Sequence, residues 1–276
     1  MARIASLAIL ASPTGNDFLA EKYGAVIQNI AKDTISGRIK NQSLSGDPTT
    51  GTVEAKRFSN TTSKAYGTAR AGGVGEKIKA KPVVIPIDVD RELIREVEAK
   101  DVRLYGVDGL VERQAAADEA SVKRELERAF FTEAHTAGTA VTLTETDIAD
   151  KLEELIQKLE VVKNDYVDGV PRDVMHLALA PSMYGKARTY FDKVEGGGAK
   201  DESFNIFHGV RVDSSTYLPT NTLAVLQVNG SIAQPVLFTR QNATKIPFSN
   251  AYAFGLFFSY GTKAVSDDLI FYVDAE

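Results

Sequence analysis

The sequence of 276 residues contains no cysteine, which excludes disulfide bonds, thiolate metal sites and a cysteine nucleophile. It contains only three histidines, His135, His176 and His208, and none stands at metal-binding spacing from a second histidine or a paired carboxylate. The nucleophile-elbow pattern G-x-S-x-G is absent, and the glycine-rich stretch at residues 72–77 lacks the Walker spacing of a phosphate-binding loop. These absences predict no metal centre and no cofactor, and they argue against an enzyme.

Long apolar runs are also missing, since no segment reaches the ~18–20 consecutive apolar residues of a membrane span. The first residues include a short apolar stretch, but the single Arg3 and the lack of a small-residue cleavage site argue against a signal peptide. The net charge of −5 argues against a dedicated nucleic-acid or membrane-surface binder, which carries a basic excess over a whole face. With 43% hydrophobic residues the chain can build a core, and we expect a globular protein made and used in cytoplasm.

The chain is organised around residues 51–82, which are predicted to form a long β-hairpin. In its first arm Val53 and Ala55 alternate with charged residues, and Phe58 is a further candidate for the same dry face. The joining tip, residues 60–75, is rich in glycine and almost free of large apolar residues. We therefore expect the tip to be mobile.

The second arm, residues 76–87, sets Ile78 and Ala80 on one face against lysines on the other. A two-stranded ribbon of roughly thirty residues is not stable alone in water, because three or more strands or a covering element are normally needed. Something outside the ribbon must hold it in place.

The hairpin is basic, and the segment that follows it is rich in acidic residues. If the hairpin of one copy lies on the acidic body of the next, the contact is heterologous, and its repetition closes a ring or a shell. The alternative is a solvated hairpin that rests on its own chain. The residues predicted to make the intersubunit contact are Lys56, Arg57, Lys64, Arg70, Lys77, Lys79 and Lys81 on the hairpin, and Glu112, Asp118 and Glu119 beyond it.

The rest of the chain is predicted to interleave helices and strands without a regular βαβ repeat, which is typical of the α+β class. An amphipathic helix at residues 16–32 needs a surface to dock on, either on a neighbour or on its own domain. Residues 112–137 favour one long helix with a narrow apolar stripe, which Gly138 ends. Further helices are predicted at residues 91–99, 147–163 and 181–190, and further strands at residues 83–89, 174–180, 209–212, 223–228, 235–239, 251–262 and 269–273.

The order of the parts resembles the major capsid (head) protein of tailed bacteriophages, which has the HK97-type fold: an arm with a short helix, a long basic hairpin, a long polar helix, and then an α/β body with a glycine-rich loop and a terminal strand. VMHLALAPSMYGKART, residues 174–189, is similar to a strand and helix of that family, and FHGVRVDSSTYLP, residues 207–219, to the strand and turn after it. The ending FFSYGTKAVSDDLIFYVDAE is similar to the family's return strand and last strand. The resemblance covers essentially the whole chain, and the order and spacing of these parts are what support it.

The resemblance implies an HK97-like division of the chain. Residues 1–50 would be an N-terminal arm, and residues 51–82 an extended loop lying across a neighbouring subunit. The peripheral domain, with its long spine helix, would comprise residues 83–143 and about 240–262, and the axial domain residues 144–239 and about 263–276. A glycine-rich loop would lie near the fivefold and sixfold axes, with the axial residues Glu195, Gly196, Gly197 and Gly198.

The implied function is a non-enzymatic shell subunit that assembles into pentamers and hexamers of an icosahedral capsid around double-stranded phage DNA, without tight specific DNA binding. Implied partners are other copies of the chain, a portal and decoration proteins. Since no scaffolding extension precedes the arm, either a separate scaffold protein or none would guide assembly. The location would be the virion, assembled in the host bacterial cytoplasm, with no membrane partner. An encapsulin-like compartment holding cargo enzymes is the alternative, and it predicts a cargo-peptide pocket on the inner face. An α+β hydrolase would need a convergent polar cluster, which the sequence does not show.

Overall fold

The computed structural model describes residues 6–61, 63, 65–67, 79–194 and 205–275. The helices are α1 (Leu7–Leu10), α2 (Pro13–Asp33), α3 (Ile35–Ile39), α4 (Ala99–Ala137), α5 (Ile148–Glu160) and α6 (Pro181–Val194). The strands are β1 (Leu44–Ser45), β2 (Thr52–Phe58), β3 (Ala80–Pro86), β4 (Val89–Val97), β5 (Thr139–Ala140), β6 (Met175–Leu179), β7 (Ile206–Phe207), β8 (Val210–Ser214), β9 (Thr222–Val228), β10 (Ile232–Ala233), β11 (Val236–Lys245), β12 (Tyr252–Tyr260), β13 (Lys263–Ala264) and β14 (Ile270–Asp274).

The strands form three sheets and one short pair. The hairpin strands β2 and β3 are joined by β1 in an antiparallel sheet of order β1-β2-β3. A second sheet has the order β11-β12-β4, and a third, of six strands, has the order β5-β14-β9-β6-β8-β7. Strands β10 and β13 pair with each other beneath the hairpin. The mixture of helices and largely antiparallel strands confirms the predicted α+β class.

Helix α2 packs on its own chain. Its apolar residues Leu19, Tyr23, Val26 and Ile30 recur at helical spacing and are all buried. They share one hydrophobic core with residues of α4 and of the β11-β12-β4 sheet. The sequence left open whether this helix docks on a neighbour or on its own domain, and in the structure it docks on its own chain.

The six-stranded sheet is built around β6, which pairs in parallel with β8 and antiparallel with β9. All five residues of β6 are buried, as expected for a central strand covered on both faces. Helix α5 turns its periodic apolar residues, Leu152, Leu155, Ile156 and Leu159, into the same core. The predictions of this strand and of the helix at residues 147–163 are confirmed.

Helix α4 runs from the core shared with α2 to a second cluster on the six-stranded sheet. Val122 and Leu126 belong to the core shared with α2. About one turn further along, Phe130 and Phe131 pack edge to face, with ring centroids 5.7 Å apart, in a cluster that includes residues of β6 and β9. The predicted long helix is confirmed and starts earlier than expected, at Ala99, with a break at Gly106, whose φ is +69°.

The short helix predicted at residues 91–99 is wrong, because this segment is the edge strand β4. Glu, Arg and Leu favour a helix, but the segment pairs with β12 residue by residue, from Val89 opposite Tyr260 to Val97 opposite Tyr252. Tertiary pairing therefore overrides local propensity. The side chains between these ends are largely exposed, as is common in an edge strand.

Three predicted boundaries also change. The hairpin pairing continues to Pro86 opposite Thr52, within the second arm predicted at residues 76–87 but beyond residue 82, where the extended loop was expected to end, so the strand predicted at residues 83–89 divides between β3 and β4. Strand β11 starts at Val236 and pairs with β12 up to Gln241 and again from Thr244, so residues 236–239 belong to the β11-β12-β4 sheet. Strand β5 pairs with β14 and so joins the six-stranded sheet. The domain division itself stays a prediction.

The remaining strand predictions correspond to β8, β9, β12 and β14, and the helix predicted from residue 181 is α6. Within the described ranges, no helix is long and apolar enough to cross a membrane.

Candidate subunit-contact surface

The hairpin is attached to its own chain at its root. Val53, Ala55 and Ile85 are buried against Ala233 of β10 and Val265, just after β13. We call these five residues the hairpin root. Strand β1 adds a third strand through the pairing of residues 44 and 45 with residues 55 and 54. The requirement for a support outside the two-stranded ribbon is thus met within the chain.

The outward face of the hairpin is largely apolar. Residues directly opposite each other in an antiparallel pair point to the same face. The register places Phe58 opposite Ala80, Lys56 opposite Pro82 and Glu54 opposite Val84. These six residues, all exposed, form what we call the outer hairpin face.

Two predictions about this face are wrong. Phe58, a candidate for the dry side, is 59% exposed, and Val84 on the same face is 47% exposed. Ala80 was expected on a dry face opposite the lysines, but it is exposed beside Phe58. The alternation indicated two faces correctly, but apolar residues occur on both, and only packing on the body decides which face is buried. Ile78 lies outside the described residues.

The inward face carries Arg57, which binds its own chain. Its guanidinium donates two hydrogen bonds to the Asp268 carboxylate, and the Nη2 to Oδ2 distance is 2.8 Å. The guanidinium also lies over the Tyr166 ring, 4.4 Å from the centroid, and Asn164 Nδ2 donates to the same carboxylate. Burial alone would raise the pKa of Asp268, but the hydrogen bonds and charge of Arg57 together with Asn164 outweigh it and hold the pKa below its usual range. We call these four residues the clamp.

Of the other predicted basic contacts, Lys56, Lys79 and Lys81 are exposed. Lys79 and Lys81 line a cleft of about 330 Å³ between the hairpin and the loop that carries Asp165 and Tyr166. The remaining three, Lys64, Arg70 and Lys77, lie outside the described residues. Arg57 is only 12% exposed and is held by the clamp, so it offers little surface to a neighbour.

The three predicted acidic contacts on α4 have partners in the same chain. Asp118 is fully buried and accepts hydrogen bonds from Tyr23 Oη at 2.9 Å and from Arg95 Nη2 at 2.7 Å. Asp118 therefore cannot contact a neighbouring subunit, because its side chain has no exposed surface. The prediction that it does so is wrong. Glu112 pairs with Lys22 at 2.6 Å, and Glu119 pairs with Lys123 at 2.6 Å.

The environment of Tyr23 supports this in-chain role. Burial is the main cause that raises the pKa of Tyr23, and the charge of Asp118 and the hydrogen bond to it raise the pKa further. Tyr23 therefore stays a neutral donor to a buried carboxylate. The pairs of α4 with α2 and β4 hold the arm helix on the body.

The predicted axial residues Glu195, Gly196, Gly197 and Gly198 all lie outside the described residues, as does the glycine-rich stretch at residues 72–77. Their role near a symmetry axis stays a prediction. At the root of that loop, the predicted helix continues as α6 to Val194.

Sequence reasoning missed that each histidine lies beside one carboxylate. The pairs are His135 with Asp274 at 3.1 Å, His176 with Asp213 at 2.7 Å and His208 with Glu153 at 2.7 Å. Arg38 of α3 also binds Asp213, at 2.9 Å. The hydrogen bond from His176 is the main cause that lowers the pKa of Asp213, and Arg38 lowers it further against the opposing effect of burial. Within the described ranges, no three potential metal ligands gather at one point.

Sequence reasoning also missed Asp268, Asn164 and Tyr166. Asp268 stands 211 positions after Arg57, and no local pattern links residues so far apart. The stretch Asn164-Asp165-Tyr166, which follows a predicted helix, is typical of a turn and by itself predicts no binding partner. The sequence offered one partial signal: strict alternation puts Arg57 on the same face as Val53 and Ala55, and a cation on an apolar face needs a partner.

By sequence, the chain matches no protein-family profile and no curated protein. Its structure is similar to solved capsids. It is similar to the capsid structure of the cyanophage P-SCSP1u, with a TM-score of 0.63, 14% identity and 88% of each chain covered. It is also similar to the mature capsid of bacteriophage PhiM1, with a TM-score of 0.56, 15% identity and 86% of this chain and 83% of that chain covered.

A third similar structure is a virus-like particle from Pyrococcus furiosus, with a TM-score of 0.59 and 13% identity, and with 92% of this chain and 98% of that chain covered. These likenesses run across most of the chain at low sequence identity. They confirm the resemblance seen in the sequence at the level of the fold: the chain has the HK97-type capsid fold.

Proposed function

We propose, from its HK97-type fold, that this chain is the structural subunit of a closed protein shell and has no catalytic role. The observation that supports this most directly is the outer hairpin face, which leaves Phe58 and Val84 exposed. Exposed apolar surface costs solubility in a monomer and is typical of a protein interface.

The contact made by such a face is heterologous. The outer hairpin face of one copy meets a different surface on the next, so each copy both gives and receives a contact, and repetition closes a shell. Apolar burial would supply most of the attraction, at about 25 cal/mol per Å² of apolar area removed from water. The exposed lysines Lys56, Lys79 and Lys81 would then contribute mainly to steering and register.

We further propose that this shell is an icosahedral capsid of pentamers and hexamers around double-stranded phage DNA, located in the virion. A net charge of −5 fits a shell that encloses DNA without binding it tightly. Partners in this form are other copies of the chain, a portal, decoration proteins and a separate scaffold protein.

A compartment that holds cargo proteins is the second candidate. The observation behind it is the similarity to the virus-like particle from Pyrococcus furiosus, with an alignment that covers 92% of this chain and 98% of that one. Particles isolated from the native source separate the two candidates. Nuclease-protected double-stranded DNA supports the phage shell, and a stoichiometric second protein with no DNA supports the compartment.

The assembly test is negative-stain electron microscopy with light scattering on the full chain. We expect uniform hollow particles, or rings of five and six. Phe58→Ser with Val84→Thr should abolish them at every ionic strength, because the attraction it removes is apolar. Lys79→Glu with Lys81→Glu should weaken association in a salt-dependent way, since exposed charges are screened over about 10 Å at 0.1 M salt.

Two results would contradict the proposal. One is a monomer at tens of micromolar, both alone and after co-expression with candidate scaffold proteins. The other is normal particles from the Phe58→Ser, Val84→Thr variant. If the Lys79→Glu, Lys81→Glu variant associates as strongly as the wild type at all salt concentrations, the basic residues are not part of the contact, but the apolar face still is.

A further inference from the structure

The hairpin is held to the body at two separate places. The hairpin root buries Val53, Ala55 and Ile85 where the strands leave the body. The clamp holds Arg57, further along the same strand. With a rise of about 3.3 Å per residue, positions 53 and 57 are about 13 Å apart, so the two attachments define a direction and not only a point.

The clamp joins three segments that are remote in sequence. Arg57 comes from β2, Asp268 from the turn before β14, and Asn164 and Tyr166 from the loop after α5. A backbone bond from Asn60 N to Asp165 O, 2.9 Å long, continues the same attachment towards the tip. The hairpin is therefore tied to the elements of the six-stranded sheet and not only to the strands beneath its root.

The chemistry of the clamp favours one geometry. A bidentate pair of guanidinium and carboxylate is planar and directional, which an ammonium group cannot reproduce. Tyr166 covers the guanidinium face, and Asn164 occupies a further acceptor position of the carboxylate. Rotation of the hairpin about its root would break all of these contacts together.

We propose that Arg57 and Asp268 are positioning residues that set the direction of the hairpin relative to the six-stranded sheet, and thereby the curvature of the shell. The shell half of this inference rests on the proposed function. In a shell of heterologous contacts, the angle between the giving and the receiving surface of one subunit fixes how sharply successive subunits turn. Arg57 thus acts within the subunit and not across the interface.

The test has two readouts on the full chain. Hydrogen exchange of the unassembled chain, followed by mass spectrometry, reports the amides of Ser59 and Asn60, which donate to Lys79 O and Asp165 O. The particle diameter distribution from electron microscopy reports curvature. The variants are Arg57→Ala, Arg57→Lys, Asp268→Asn and the exchange of charges, Arg57→Asp with Asp268→Arg. Lys56→Ala is the matched control for the hydrogen-exchange readout alone, because Lys56 is the neighbouring cation on the opposite, exposed face, which the proposed function places in the contact between copies.

We expect Arg57→Ala and Asp268→Asn to speed exchange at Ser59 and Asn60 by about tenfold, while the amides of β6 stay unchanged. Particle diameters should broaden or shift. Arg57→Lys should give an intermediate effect. The double variant Arg57→Asp with Asp268→Arg, in which the two charges are swapped, should restore part of the amide protection and part of the uniformity of particle diameter. Lys56→Ala should leave exchange at both amides as in the wild type.

Unchanged exchange in Arg57→Ala would overturn the clamp. Faster exchange with an unchanged diameter distribution would overturn the positioning role in the shell. If the alanine variant does not fold, Arg57→Lys and the exchange of charges decide the question. If the wild type forms no particles, the proposed function and the inference about shell curvature both fail. The hydrogen-exchange data would still test whether the clamp holds the hairpin on the body.

Discussion

Replacing Asp118 with alanine should destabilise the unassembled chain by about 3 kcal/mol. The Asp118 carboxylate is fully buried and binds both Tyr23 and Arg95. Removing one partner from a buried charge pair costs about 3–5 kcal/mol. Arg95 is 37% exposed, so water compensates for part of that loss, but the buried Tyr23 hydroxyl would lose its partner, at about 1–3 kcal/mol.

Urea denaturation followed by far-ultraviolet circular dichroism measures this effect, and the absence of tryptophan rules out indole fluorescence as the probe. Tyr23→Phe should cost less, about 1.5 kcal/mol, since it removes one hydrogen bond to a charged group together with the buried hydroxyl. The double variant should cost less than the sum, because the two side chains share a contact.

Glu112→Ala is the matched control on the same helix. Glu112 is 55% exposed in its pair with Lys22, and exposed pairs contribute about 0–1 kcal/mol. The reasoning would be refuted if Asp118→Ala changed stability no more than Glu112→Ala does, or if it weakened only the association between subunits. Either result would return Asp118 to the intersubunit contact that its sequence position suggested.

Two further predictions concern pH and the hairpin tip. The hydrogen bonds from Arg172 are the main cause that lowers the pKa of Glu153 to about 2, with burial opposing and His208 contributing. Because this pKa is depressed, the stabilisation is present above the usual value near 4.5 and is lost as the pH falls towards 2. The thermal midpoint of the wild type should therefore fall more steeply between pH 4.5 and pH 2 than that of Glu153→Gln, and parallel curves would contradict the pairing. Deleting residues 60–75 should leave a folded chain that does not assemble, as judged by circular dichroism and light scattering, and normal particles from the deletion would exclude the tip from the contact.

Elements with a strong period were predictable. The apolar spacing of α2 and α5 follows 3.6 residues per turn, and β6 is a short run without charge, so each had only one way to bury its apolar side chains. Strand β4 was missed because its residues favour a helix locally and because an edge strand with exposed faces has no clear alternation. Its nine pairings with β12 supply what the local signal lacked.

The candidate site was predicted in part. The hairpin and its alternation were visible, because a period of two is a local property of the chain. Which face is buried was not visible, since Val53 and Phe58 lie on opposite faces and both are apolar. The partner of each charge was not visible either. Arg57 was assigned to a neighbouring subunit but binds Asp268 of its own chain.

The sequence by itself determined which segments are helices and strands wherever periodicity was strong, the order of the parts, and through that order the HK97-type fold. These properties depend on residues within a few positions of one another. Only the tertiary structure decided which hairpin face is outward, which acidic residues are buried and which charges pair. Those outcomes depend on side chains that are remote in sequence, such as Arg57 and Asp268, and that only the folded chain brings together.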